Sequence, residues 1–177
     1  MEKSLVTYRQ TKRAECQLLR NGSALSTSFF EGKLPEVSCY NCAVHLVVMI
    51  LIYTGARCSE AMKVRESDLL DETMIFIRSM KGTKNRFINI PVRLVEYLRF
   101  YFLNCSIFLD TSYNKVYNFV SKLKAVKGII RNDQNFSVTH YFRKCLIKKM
   151  FFEYRNTSDF ICDFFGWREA KSIAYYI

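Results

Sequence analysis

The chain has 177 residues, half of them hydrophobic, enough to bury one sizeable core and too few for two full domains. Twenty-seven Lys and Arg stand against 16 Asp and Glu, a formal net charge of +11. Such a surplus draws a protein to polyanions, nucleic acid first and an anionic membrane surface second. The seven cysteines are odd in number and scattered through apolar stretches, and the chain does not start with the apolar run of a secretory signal. That argues against a disulfide-stapled secreted domain and for a reducing, cytoplasmic setting.

Residues 1 to about 35 are polar, mixed in charge and without a sustained period, and read as an arm or linker. From Val37 to Tyr53 apolar residues are almost continuous, and Gly55 follows. The run from Ala43 to Tyr53 is well short of the roughly 20 residues a membrane span needs, so a buried helix is predicted and no membrane partner. A short second helix is expected near Ser59, carrying Ala61, Met62 and Val64. Thr73 to Ile77 is rich in β-branched and aromatic residues, Lys81-Gly82-Thr83-Lys84 is turn-like, and Arg86 to Ile90 alternates, which together predict a β-hairpin with a basic tip. After Pro91, suited to a first helical turn, Leu94, Val95, Leu98 and Phe102 form a helical stripe. Further helices are expected around 114 to 126, 139 to 152, 157 to 165 and 169 to 177. The fold class is therefore mainly α with one small antiparallel sheet, residues 36–177 forming the domain.

Four short segments carry candidate chemistry, each weak alone. Arg57 follows Gly55 at the lip of the first helix, with Glu60 three residues on, where a planar guanidinium can hold a phosphate by two hydrogen bonds. The hairpin tip presents Lys81 and Lys84, with Arg86 just beyond, for contact with DNA; solvated basic turns are common. His140 and Arg143 are three apart at a predicted helix start, on one face, with Thr139 as its cap. Gly166-Trp167 is read as opening a terminal helix that ends in Tyr175-Tyr176, where packing alone would also account for the aromatics. Cys39, Cys42 and His45 have a ligand-like spacing, but no complementary half-site follows and all three lie in an apolar helical run, so packing is the better reading and no metal is expected.

In their order and spacing these segments resemble the catalytic domain of the tyrosine recombinase (phage integrase) family, over residues of about 36 to 177. The family has a TG-x-R-x-x-E box, a lysine on a β-hairpin, an H-x-x-R box, a Gly-His or Gly-Trp pair and a tyrosine soon after. Here Lys81 stands 24 positions after Arg57, Arg143 three after His140, and Tyr176 nine after Trp167. The resemblance implies a DNA recombinase or integrase working through a 3′-phosphotyrosine bond without metal or nucleotide cofactor. It implies Arg57 and Arg143 as clamps on the scissile phosphate, Lys81 as the acid for the leaving 5′-oxygen, and His140 and Trp167 as further polar contacts. Glu60 would support from behind, and Tyr176 would be the nucleophile, favoured by spacing over Tyr175. Duplex DNA is the expected partner, with assembly as a homo-dimer or tetramer on it.

The sequence departs from the family in ways that touch function. Members usually carry a separate helical DNA-binding domain before the catalytic one, which 35 residues are too few to make, and a segment beyond the nucleophile that packs on a neighbour. Ala56 and Phe142 replace bulkier aliphatic and leucine residues and still offer apolar packing. A DNA-binding regulator, or a catalytically incomplete recombinase remnant, is the alternative. The complete residue set argues for the enzyme.

Overall fold

The computed structural model describes residues 39–80, 82–122 and 138–176, with side chains described from residue 43. The expected N-terminal arm, Lys81, the far end of the helix predicted to reach 126, and the side chains of Cys39 and Cys42 lie outside the described residues.

Helix α1, Cys39–Thr54, is the central element. Ala43, Val44, Leu46, Val47, Val48, Met49, Ile50 and Leu51 are all buried, on every side of the helix. A helix apolar all round can lie only inside a protein, and α1 is flanked by four others: α2 (Cys58–Ala61), α3 (Val92–Asn104), α4 (Tyr113–Ser121) and α5 (Tyr141–Lys148). The helix ends at Gly55, whose left-handed φ of +56° lets its N–H return to Leu51 O at 2.9 Å. The Thr54 hydroxyl donates to Ile50 O at 2.6 Å and accepts from Ala56 N, so the exit from the helix is held on both sides.

Strands β1 (Met74–Ile77) and β2 (Arg86–Asn89) form the antiparallel hairpin, with Ile75 opposite Ile88 and Ile77 opposite Arg86. Ile75, Ile77, Ile88 and Ile90 are buried, while Phe76 and Phe87 pair across the outer face at 4.9 Å. Pro91 precedes α3, and the stripe of Leu94, Val95, Leu98 and Phe102 is buried as expected, joined by Tyr97 and Tyr101. Ser112 caps α4, accepting from Lys115 N.

The C-terminal third is less regular than a run of α-helices. A 3-10 turn, Val138–His140, leads into α5, which widens into a π turn at Lys149–Glu153. Thr139 is not a cap; it is buried, and its hydroxyl meets Tyr113 Oη at 3.3 Å. Helix α6, Ser158–Phe165, is capped by Thr157, whose side chain accepts from Phe160 N. Gly166 ends α6 rather than opening a new helix. Its φ is +66°, and the bonds Gly166 N to Asp163 O and Trp167 N to Cys162 O close α6 as a paired C-terminal cap. The terminal element, Ala170–Tyr175, is a six-residue 3-10 helix. It packs on α6, and α6 in turn contacts β2. Ile147, Met150, Ile161, Cys162, Phe165, Trp167 and Ile173 form a second, smaller core at this end.

Candidate active site

Arg57 precedes α2 in extended backbone, and Glu60 turns back so that its Oε2 accepts Arg57 N at 2.9 Å. The Arg57 guanidinium, partly exposed, donates from Nη1 to Glu60 Oε1 at 3.1 Å, Met80 O at 3.1 Å and Thr83 Oγ1 at 3.2 Å. It therefore ties α2 to the hairpin loop on both sides of position 81. The loop is also knit to itself: Asn85 Oδ1 accepts Ser79 N at 2.8 Å, and the Ser79 hydroxyl bonds Thr83 O and Thr83 Oγ1. Lys84 is exposed, and its N–H donates to Gly166 O at 2.8 Å, fastening the hairpin to the end of α6. A Cβ on Gly166 would lie 2.5 Å from Lys84 O, so the glycine is needed for this approach as well as for its φ.

Glu60 is 1% exposed and is the hub of the polar interior. Burial alone would raise its carboxyl. The Arg57 N–H, the charge and hydrogen bond of Arg86, and the charge of Arg143 outweigh that and hold it ionised below the usual range. Arg86 departs from the expectation of a DNA contact. It is 5% exposed and points inward, with Nη2 at 2.9 Å from Glu60 Oε2. Strand parity is the reason: Arg86 shares the inner face with Ile88 and Ile90.

Arg143, on the first turn of α5, is 1% exposed. Its Nε donates to Gly55 O at 2.7 Å, and its guanidinium lies over the rings of Phe165 at 5.1 Å and Trp167 at 5.7 Å. Nη2 has no hydrogen-bond partner among the described residues. Burial brings the group down to about 10, with Tyr176 opposing and the charge of Arg57 reinforcing, so it stays a cation at neutral pH. His140, half-buried, is held below its ordinary range by burial first and then by Arg143 and Arg57, with Glu60 pulling the other way. It is a neutral imidazole at pH 7.

Trp167 stacks on Phe165 at 5.1 Å and on Tyr176 at 5.3 Å. The two candidate tyrosines are thereby distinguished: Tyr176 packs on Trp167, whereas Tyr175 is 85% exposed. A cavity of about 430 Å³ opens between the hairpin loop and the C-terminal element, and Arg57, Gly82, Thr83, Trp167, Ser172 and Tyr176 line it. Arg168, Glu169 and Tyr175 stand at the same cavity. Arg57 and Tyr176, 119 positions apart, thus share one wall-to-wall space, with Arg143 buried behind Trp167.

Sequence reasoning missed Thr83 and Ser79, which organise the loop, and Phe165, the shelf for Arg143 and Trp167. A hydroxyl pair bracketing the basic tip was the available signal for the first two; nothing local marks Phe165. His45 packs edge-on against Phe119 at 4.8 Å, and no group of three potential metal ligands occurs among the described residues.

A family model, the phage integrase family, matches residues 32–177, most of the chain. The chain belongs to the phage integrase family, the tyrosine recombinases. Solved structures agree in fold. The XerH site-specific recombinase bound to difH in a pre-cleavage complex superposes with a TM-score of 0.61 at 16% identity, over 81% of this chain and 45% of that one. Its post-cleavage complex with palindromic difH gives 0.64 at 17% identity, over 81% and 44%. XerA recombinase gives 0.56 at 20% identity, over 82% and 61%. This integrase-family chain thus spans under half the length of XerH and about three-fifths of XerA. No curated protein matches the sequence significantly. No described helix is long and apolar enough to cross a membrane.

Proposed function

We propose that this integrase-family domain cleaves and rejoins one strand of duplex DNA through a covalent bond to Tyr176. The observation that carries the reading is the single cavity lined by Arg57, Trp167 and Tyr176 with cationic Arg143 buried behind it. In the cleavage step Tyr176 Oη attacks the scissile phosphorus, the P–O5′ bond breaks, and a 3′-phosphotyrosine and a 5′-hydroxyl result. The phenolic proton leaves toward His140, whose neutral imidazole suits an acceptor. The departing oxygen takes a proton from Lys81, whose ordinary pKa of about 10.4 is well below that of an alkoxide. Arg57 and Arg143 hold the non-bridging oxygens and offset the charge that grows in the transition state. Trp167 has an indole N–H to offer the same phosphate.

Attack of another strand's 5′-hydroxyl on the phosphotyrosine reverses the chemistry and releases Tyr176. The phosphodiester energy is conserved in the tyrosyl ester, so the cycle balances without metal or nucleotide. Strand exchange between two sites requires more than one copy, and a homo-oligomer on DNA is part of the proposal. Lys84 would add a contact to the DNA backbone, a role that its exposure supports.

The test is incubation with duplexes nicked just beyond candidate sites, so that a short 5′-hydroxyl fragment diffuses away and traps the adduct. A covalent protein–DNA band on a denaturing gel, attached through the DNA 3′ end, is expected. Binding without an adduct over a broad panel of duplexes contradicts the reading and favours a regulator.

A further inference from the structure

We propose that Arg86 is a positioning residue of this site, fixing Glu60 and, through Glu60, the way Arg57 meets the scissile phosphate. The inference rests on the cleavage reading above.

The geometry centres on one carboxylate. Glu60 Oε2 accepts Arg86 Nη2 and Arg57 N, both at 2.9 Å, and Oε1 accepts Arg57 Nη1 at 3.1 Å. Thr83 Oγ1 adds a longer contact to Oε1, 3.4 Å. Glu60 therefore sits between two guanidiniums with its side chain wholly buried, and Arg86 is nearly so. Alone, a buried Glu60 would neutralise Arg57 and hold it back from an incoming anion. With Arg86 as the second partner, the three groups keep one net positive charge, and Arg57, the only one of them at the cavity, presents it. Arg86 is also the first residue of β2, directly after the hairpin loop. Its bond to Glu60 sets where that loop returns relative to Arg57.

Packing does not explain an arginine here. Arg86 Nε and Nη1 are buried and make no hydrogen bond among the described residues. Buried donors left unmatched are unfavourable, and an apolar side chain between Ile77 and Ile88 would fill the strand without them. What an apolar residue could not do is balance Glu60 and release Arg57 for the phosphate.

The test compares wild type, Arg86→Met and Arg86→Lys in single-turnover adduct formation. Each is given a trapping duplex with an ordinary scissile phosphate and one with a neutral methylphosphonate there. On phosphate, Arg86→Met should slow cleavage at saturating DNA by about tenfold or more, while the affinity for DNA changes by less than about threefold. Arg86→Lys, which keeps the charge but not the fork, should lie between. On methylphosphonate the deficits should shrink, because the anionic oxygen that Arg57 would meet is gone.

A merely structural role would slow both substrates by the same factor. Equal factors, or no slowing in a folded variant, overturn the inference while the cleavage reading stands. If Arg86→Met does not fold by near-UV circular dichroism, Arg86→Lys carries the same comparison. No adduct from wild type on either duplex overturns the cleavage reading, and the inference with it.

Discussion

Three demands meet at Gly55. The residue ends α1 at φ +56°, its carbonyl takes the Nε–H of Arg143, and a Cβ there would lie 2.4 Å from Phe165 Cε1. Gly55→Ala should therefore cost both left-handed strain and overpacking, together about 2–5 kcal/mol. Urea unfolding checks this: a shifted midpoint at unchanged slope is expected, and a loss under about 1 kcal/mol would mean that Phe165 yields without resistance. His140 gives a second residue-scale prediction. Burial and its cationic neighbours hold the imidazole below its ordinary 6.5, so in free protein it remains a proton acceptor as pH falls past that value. The second-order rate constant of adduct formation, which reports the free protein, should have its acid limb centred below 6.5. An acid limb centred above 6.5 that vanishes in His140→Gln would contradict the electrostatic account of this residue.

Spacing singles out Arg57, Arg143, Trp167 and Tyr176 but does not say which way their side chains face. Tyr176 was favoured over Tyr175 by its distance from Trp167, and the stacking of Tyr176 on Trp167 is consistent with that preference. The charge of Arg86 alone suggests a DNA contact. Its parity with Ile88 and Ile90 was already in the sequence and carried the better information, because a strand decides direction by alternation whatever the side chain. The partner that makes an inward arginine tolerable, Glu60, is 26 positions away, and no local pattern reveals such a pairing.

Among the elements, those with a strong period or a clear stop were legible. The apolar run before Gly55, the alternating hairpin and the stripe after Pro91 each correspond to α1, β1 with β2, and α3. The irregular C-terminal elements were not, because their shape depends on packing. From sequence Gly166 looks like a helix start, whereas it stops α6, and the segment after it winds as a 3-10 helix whose place is set by contact with α6. Phe165 joins these elements: it is fully buried, stacks on Trp167, touches Gly55 and supports Arg143. Phe165→Leu keeps an apolar side chain and should cost about 1–2 kcal/mol of stability. Cleavage should fall more than that loss explains, at temperatures where the variant is fully folded, because Trp167 and Arg143 lose their shelf. Unchanged single-turnover rates would show that the shelf is dispensable.

On the scale of the whole molecule, the charge of +11 ties binding to ionic strength. If two or more phosphates are neutralised, affinity for duplex DNA should drop at least about tenfold between 50 and 200 mM salt. Fluorescence anisotropy across that range checks this; a flat profile would mean that the surplus charge does not serve DNA. The cavity shared by Arg57 and Tyr176 bears directly on the identity of the nucleophile. The most direct measurement is mass mapping of the trapped protein–DNA adduct in wild type, Tyr176→Phe and Tyr175→Phe. A nucleotide on Tyr176 is expected, with no adduct in Tyr176→Phe although DNA binding is retained, and an undiminished adduct in Tyr175→Phe. An adduct on any other residue, or one that survives Tyr176→Phe, would rule out Tyr176 as the nucleophile.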